Sequence, residues 1–70
     1  MPKLYSSDFI IKVLTKNGFF KVSQKGSHIK FKKLFNNKTM VVIVPAKRKE
    51  VPFGTFRSIL RQSQLSEELF

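Results

Sequence analysis

The 70-residue sequence predicts a two-layer α+β domain in the order α-β-β-β-α, with a three-stranded antiparallel sheet and both helices on one face of it. Two observations lead to this fold class. Segments with helical apolar spacing stand near both ends of the chain, and three segments with strand-like alternation or β-branched runs lie between them. Each helix carries an apolar stripe, and one sheet face can bury both. A chain this short forms a single domain, residues 1–70.

The first helix is expected over about residues 7–17. Ser6 or Ser7 can cap its start, and Asp8 is favourable in the first turn. Gly18 should end it, because glycine tolerates the left-handed conformation that follows many helices. The inward stripe at helical spacing consists of Phe9, Ile10, Val13 and Leu14.

The first strand is expected within Phe19–Lys25, where apolar and polar residues alternate. Since successive side chains of a strand point to opposite faces, Phe20 and Val22 should share one side, and Lys21 and Ser23 the other. A tight hairpin turn should follow near residues 25–27.

The second and third strands follow from the same rules. Gly26 suits the hairpin turn that precedes the second strand. In residues 28–34 apolar and polar side chains alternate again, with Ile29 and Phe31 on one face. The opposite face of this strand holds His28, Lys30 and Lys32. After a turn at residues 35–38, the β-branched run Thr39–Val44 should form a strand that Pro45 ends. Its continuous apolarity predicts contacts on both of its faces.

The second helix should begin after a basic loop, Ala46–Val51, with Pro52 in its first turn. It should run to about Gln64, and Ser66 could start one more helical turn in the tail. Its inward stripe is expected to hold Phe56, Ile59, Leu60 and Ser63, and its outward residues Arg57, Arg61 and Gln62.

The charge is the first indication of function. Fourteen Lys and Arg stand against four Asp and Glu, so the formal net charge is +10. An excess of this size on a short chain favours a polyanionic partner, above all nucleic acid. The chain has no cysteine, Met1–Ser7 lacks the apolar run of a secretory signal, and no segment is long enough to span a membrane. We therefore expect a cytoplasmic protein without a membrane partner.

His28 is the candidate catalytic residue, because histidine is the side chain suited to proton transfer near neutral pH and the chain has only one. The four acids, Asp8, Glu50, Glu67 and Glu68, form no obvious metal-binding cluster, so we expect neither a metal ion nor another cofactor. RNA carries its own nucleophile, the 2′-hydroxyl, so its cleavage requires little more than proton transfer and cations. The candidate phosphate-binding residues are Lys25, Gly26, Ser27, Lys30, Lys47, Arg48, Lys49 and Arg57.

The residues alone leave alternatives open. A lone histidine on a strand is more often a surface or structural residue than a catalytic one, and Gly26 suits a turn without any ligand. Composition and fold class fit a non-catalytic, small basic RNA-binding module equally well. Phe35 and Phe53, at segment edges, have some chance of exposure and of contact with bases.

Several runs of residues resemble a known family. Gln24–Phe31, which contains Gly26-Ser27-His28, resembles the Gly-Ser-His signature of the HicA (YcfA-like) mRNA interferase toxins. Val41–Pro45 is similar to that family's third strand with its final proline, and Glu50–Gln62 to its second helix with a Pro-x-Gly-Thr start. The resemblance covers about residues 6–65 in order. It departs at Ser63-Gln64, where relatives often carry Ala-Gly, and at Ala46, where a polar residue is frequent.

This resemblance implies a fold like that of double-stranded-RNA-binding domains. It further implies that the chain is the toxin of a type II toxin-antitoxin system and an endoribonuclease that cleaves mRNA, with His28 as its catalytic residue. The implied partners are mRNA and a cognate antitoxin of the HicB type, which would cover the active site.

Overall fold

The computed structural model describes residues 3–70, so the first two residues of the Met1–Ser7 segment lie outside the described range. Its elements are α1 (Ser7–Lys16), β1 (Phe20–Lys25), β2 (His28–Phe35), β3 (Lys38–Pro45), α2 (Phe53–Ser63) and a final 3-10 turn, Glu67–Leu69. The strands form one antiparallel sheet in the order β1-β2-β3. The predicted fold class and element order are confirmed.

Both helices pack on one face of the sheet, which we call the helix face. Ile10 and Leu14 of α1 meet Phe56 and Ile59 of α2 in one core over the central and third strands. The remaining buried core residues are Phe19, Ile29, Phe31, Val42, Val44 and Val51. The opposite side of the sheet, which we call the open face, carries the side chains of the alternate strand positions. At about 25 cal/mol per Å² of apolar surface, burial of this shared core is the main favourable contribution to folding.

The predicted cap and end of α1 are confirmed, but one residue of its predicted inward stripe is not buried. Ser6 caps the helix by accepting a hydrogen bond from the Phe9 N–H at 3.1 Å, and Gly18 takes the left-handed conformation at φ +93°. The prediction that Phe9 faces the core is wrong, since its side chain is 37% exposed. Phe9 instead stacks on Tyr5, with ring centroids 5.1 Å apart, at the margin of the core.

The predicted alternation of β1 is broken by a β-bulge between Lys21 and Ser23. Phe20 pairs with Lys32 and Ser23 with Lys30, so both lie on the open face, and the prediction that Ser23 shares a side with Lys21 is wrong. The extra residue of a bulge reverses the parity of the residues after it. All six residues of β1 are exposed, because this edge strand lies beyond the helical layer, and Phe19 just before it supplies the buried contact.

Two-residue turns connect the three strands. Gly26 has φ +58° and Ser27 does not have a positive φ, the pattern of a turn that favours glycine in its first central position. Asn36 and Asn37 both have positive φ, at 51° and 63°, and asparagine tolerates this region better than most residues. Both predicted turns are confirmed.

The third strand is covered on one face only. Val42 and Val44 are fully buried on the helix face, whereas Val41 on the open face is 37% exposed, so the expectation of contacts on both faces is wrong. This apolar segment forms an edge strand of the sheet. Among the described residues, the outer edge of this strand has no neighbouring strand to bond its backbone. One of its N–H groups, that of Ile43, donates a hydrogen bond to the Oε1 of Gln62 in α2 at 3.1 Å. The prediction that Gln62 faces outward is therefore also wrong.

The end of α2 contains Ser63 and Gln64, one of the two places where the resemblance described above departs from the family's pattern. Ser63 is buried, and its Oγ donates to the Leu60 carbonyl at 3.2 Å. Gln64 takes the left-handed conformation at φ +58°. A residue with a Cβ is strained there, which explains why glycine suits this position.

We expect Gln64→Gly to raise the free energy of unfolding by about 0.5–1 kcal/mol, because glycine removes the left-handed strain. Denaturant unfolding followed by circular dichroism measures the change. The control is Arg61→Gly, three residues earlier in the helical part of α2, which should lower stability by about 1 kcal/mol. A loss of stability in both variants would contradict the explanation.

Candidate functional site

His28 is the first residue of the central strand and directly follows the Gly26-Ser27 turn. It pairs with Lys25 of β1 on one side and with Pro45 of β3 on the other, and it is exposed. Since its neighbour Ile29 is buried on the helix face, His28 lies on the open face, as the alternation predicted. The imidazole is therefore accessible to a large ligand.

Cationic side chains accompany His28 on the open face. Lys30 lies two residues further along β2, about 7 Å away, and Lys32 a further two residues on. Lys25 stands directly across the strand pair from His28. The described structure thus groups Lys25 and Lys30 with the histidine, and a carboxylate pairs with none of these three positions across the sheet. A negatively charged ligand is favoured there.

The basic loop begins beside the same turn. The N–H of Ala46 donates to the Ser27 carbonyl at 2.7 Å, so the chain leaves β3 in contact with the residue before His28. The next three side chains, Lys47, Arg48 and Lys49, are all exposed. Lys47 has φ +56°, a conformation that costs a non-glycine residue about 1 kcal/mol or more. Surrounding contacts must hold this loop in shape.

Ser7 provides those contacts. Its buried Oγ donates to the Pro45 carbonyl and accepts from the Arg48 N–H at 3.0 Å. Its own N–H donates to the Arg48 carbonyl at 2.9 Å. Ser7 therefore bonds to backbone groups on both sides of Lys47. A further hydrogen bond, from the Val51 N–H to the Tyr5 carbonyl at 2.8 Å, holds the end of the loop to the segment before α1.

Sequence reasoning missed this role of Ser7. By sequence either Ser6 or Ser7 can cap α1, and in the structure Ser6 alone performs that function. The two hydrogen bonds of the Ser7 Oγ join residues separated by 38 and 41 positions. The only signal in the sequence was the duplication of serine at a helix start, which left one hydroxyl without a local function.

Two further residues lie apart from this group. Arg57 is exposed on α2, which packs on the helix face, whereas His28 lies on the open face. Glu50, one of the four acids of the chain, is exposed in the loop before α2. Of the phosphate-binding candidates, Lys25, Gly26, Ser27 and Lys30 lie beside His28, and the loop with Lys47, Arg48 and Lys49 begins next to the same turn.

Within residues 3–70, no group of three or more His, Asp or Glu side chains is placed to hold a metal ion. The described part of the chain also has no helix long and apolar enough to cross a membrane. A shallow depression of about 190 Å³ lies near the far end of the sheet, beside Phe35, Met40 and Leu65. His28 and the cations Lys25 and Lys30 are exposed and lie away from this depression, an arrangement that suits an extended polyanion.

Fold and site together define a small basic α-β-β-β-α domain with an exposed histidine among cations at the start of its central strand. Residues 8–65 match the family described as the HicA toxin of bacterial toxin-antitoxin systems. The chain belongs to this HicA toxin family, because the match spans most of its length. Membership makes it the toxin partner of a toxin-antitoxin pair, with a cognate antitoxin as its implied partner. A search of curated proteins found no match.

We expect Ser7→Ala to lower the free energy of unfolding by about 1–3 kcal/mol, because the Pro45 carbonyl and the Arg48 N–H lose their partner. Hydrogen exchange should show the largest loss of protection at the Arg48 amide. Ser6→Ala is the matched control, since it removes a helix cap at a cost of about 1 kcal/mol but leaves the Arg48 amide protected. Equal protection of Arg48 in both variants would show that Ser7 does not hold the loop.

Proposed function

We propose that the chain is a type II toxin that inhibits translation by cleaving mRNA as a metal-independent endoribonuclease, with His28 as the proton-transfer residue. The observation that supports this most strongly is the position of His28, exposed on the open face between Lys25 and Lys30. An RNA backbone can approach this surface from solvent.

In the proposed reaction, the 2′-oxygen of the substrate attacks the adjacent phosphorus and the bond to the 5′-oxygen breaks. The products are a 2′,3′-cyclic phosphate and a 5′-hydroxyl end. One proton leaves the 2′-hydroxyl and one joins the departing 5′-oxygen, and His28 performs one of these transfers. A single imidazole cannot do both in the same step, and the exposure of His28 leaves the other transfer to water.

The cations around His28 have a second function in this proposal. Negative charge accumulates on the phosphoryl oxygens as the new bond forms, and nearby fixed cations stabilise it. Lys25 and Lys30 stand closest along the sheet, and the loop with Lys47, Arg48 and Lys49 adds charge beside the turn.

The turn before His28 is suited to a phosphate oxygen. A Cβ placed on Gly26 would meet no atom within 4 Å, so the backbone there is open to solvent. The Ser27 hydroxyl can add a donor. Arg57, on the exposed side of α2, would contact phosphates further along the chain of a longer substrate.

A cognate antitoxin of the HicB type would inhibit the toxin by covering His28. The net charge of +10 favours an acidic contact surface on that partner. Because His28 is exposed, a protein bound over it can exclude RNA.

We expect His28→Ala to reduce RNA cleavage in EDTA by about 10²-fold or more, because the proton-transfer group is lost. The unfolding free energy should change by less than about 0.5 kcal/mol, since the side chain is exposed. Gel analysis of end-labelled RNA measures the first quantity and denaturant unfolding the second. RNA with a 2′-deoxyribose at the cleavage position should stay intact with either protein.

Growth of cells that express each protein extends this test. The unchanged toxin should arrest growth, His28→Ala should not, and coexpression of the neighbouring open reading frame should restore growth. Undiminished cleavage by the variant would reject His28 as the catalytic residue. Salt-dependent binding by a protein that never cleaves would instead favour the non-catalytic RNA-binding module.

Replacing Lys47 and Lys49 together by Gln should flatten the salt dependence of single-stranded RNA binding. Each lost phosphate contact should reduce the slope of log K against log salt by about 0.7. Fluorescence anisotropy at several salt concentrations measures the slope. Lys16→Gln is the control for net charge, because Lys16 ends α1 about 14 Å along the helix from Ser7. Equal change per lysine in the control would show that only the net charge matters.

A further inference from the structure

The open face of the sheet is left uncovered by the helices and is partly apolar. Phe20 of β1 is 53% exposed, Leu34 of β2 is 71% exposed and Val41 of β3 is 37% exposed. A small domain usually buries such side chains, and neighbouring ones that stay exposed together indicate a binding surface. His28 occupies one end of the same face.

Cations and apolar side chains are interleaved on this face. The register places Lys32 between Phe20 and Val41, and Lys30 between Ser23 and Ile43. The central strand therefore presents a row of charge, and its neighbours present an aromatic ring and aliphatic side chains. Such a surface matches a ligand that has both anionic groups and flat apolar faces, which is the chemistry of an unpaired nucleotide chain.

We propose that the open face is a binding track for single-stranded RNA that continues from His28, with one base stacked on Phe20 and phosphates bound by Lys30 and Lys32. This inference rests on the function proposed above and specifies its substrate as unpaired RNA. Bases inside a duplex are already stacked on each other, so an exposed phenylalanine can recognise only unpaired ones.

The geometry of the strands sets where the stacked base lies. Phe20 stands directly across from Lys32, four residues from His28 along β2, which is about 13 Å. A few nucleotides of an extended strand cover this distance. A substrate that ends at the cleaved bond would not reach Phe20, and a longer one would.

A matched pair of variants tests the track. Phe20→Ala removes the ring from the open face, whereas Phe35→Ala removes a ring that is 56% exposed beside the helix-face residues Met40 and Leu65. Phe20→Tyr keeps an aromatic ring in place. The probe for binding is a short fluorescent oligoribonucleotide with 2′-O-methyl groups, which cannot be cleaved, either unpaired or annealed to its complement.

Phe20→Ala should weaken binding of the unpaired probe about 5- to 100-fold, the effect of one lost base–aromatic stack. Phe35→Ala and Phe20→Tyr should stay within about twofold of the unchanged protein, and none of the three should alter binding of the annealed probe. In cleavage assays, Phe20→Ala should raise KM for long RNA and leave the rate on a dinucleotide unchanged.

The outcomes separate this inference from the proposed function. Equal losses for Phe20→Ala and Phe35→Ala, or an equal loss with the annealed probe, would overturn the track even if His28→Ala abolishes cleavage. Normal RNA binding by Phe20→Ala together with weakened antitoxin binding would also overturn it and assign the face to a protein. A loss of unpaired-probe binding in Phe20→Ala, in a protein that never cleaves RNA, would support the track and reject the endoribonuclease.

Discussion

Burial of Ile29 and Phe31 under the two helices is the constraint on which the rest of the structure depends. These residues set the parity of the central strand, so His28, Lys30 and Lys32 must lie on the other side. A shift of one residue in register would bury a histidine and two lysines and expose the core. The packing that stabilises the fold therefore also positions the candidate site. As long as Ile29 and Phe31 stay buried, His28 and the lysines beside it stay on the open face.

The fold must also hold the strongly basic loop after β3 next to the start of β2. Lys47, Arg48 and Lys49 repel one another, and Lys47 adopts a strained backbone conformation. Ser7 offsets this with three hydrogen bonds to Pro45 and Arg48. The start of α1 is thus part of the site, although none of its side chains has to touch a ligand. Such an arrangement fixes the start of the basic loop at Pro45, the residue that pairs with His28 across the sheet.

The location of the site at a strand end has a functional consequence. The Gly26-Ser27 turn, the start of β2 and the loop after β3 meet there, joined by the bond from Ala46 to Ser27. Short loops on a rigid sheet give a chain of this size a defined surface without an enclosed cavity. A long polymer suits that surface, because it gains affinity from many weak contacts spread along a track rather than from a few in a pocket.

Local patterns in the sequence correctly predicted the order of the elements, the two turns between strands, the glycine after α1 and the side of β2 on which His28 lies. These features depend on periodicity and on the conformational preferences of a few adjacent residues, which local patterns express directly. The family resemblance added the expectation that His28 is catalytic, which the residues alone left as a minority interpretation.

The roles of Ser7, Gln62 and Phe20 follow from contacts that form only in the folded chain. The bulge in β1 changed which residues share a face, and the packing of both helices on the same side of the sheet left the open face uncovered. The hydrogen bonds of Ser7 and Gln62 join positions 19 to 41 residues apart. Such contacts depend on how the layers pack in space, which no short segment of the sequence encodes.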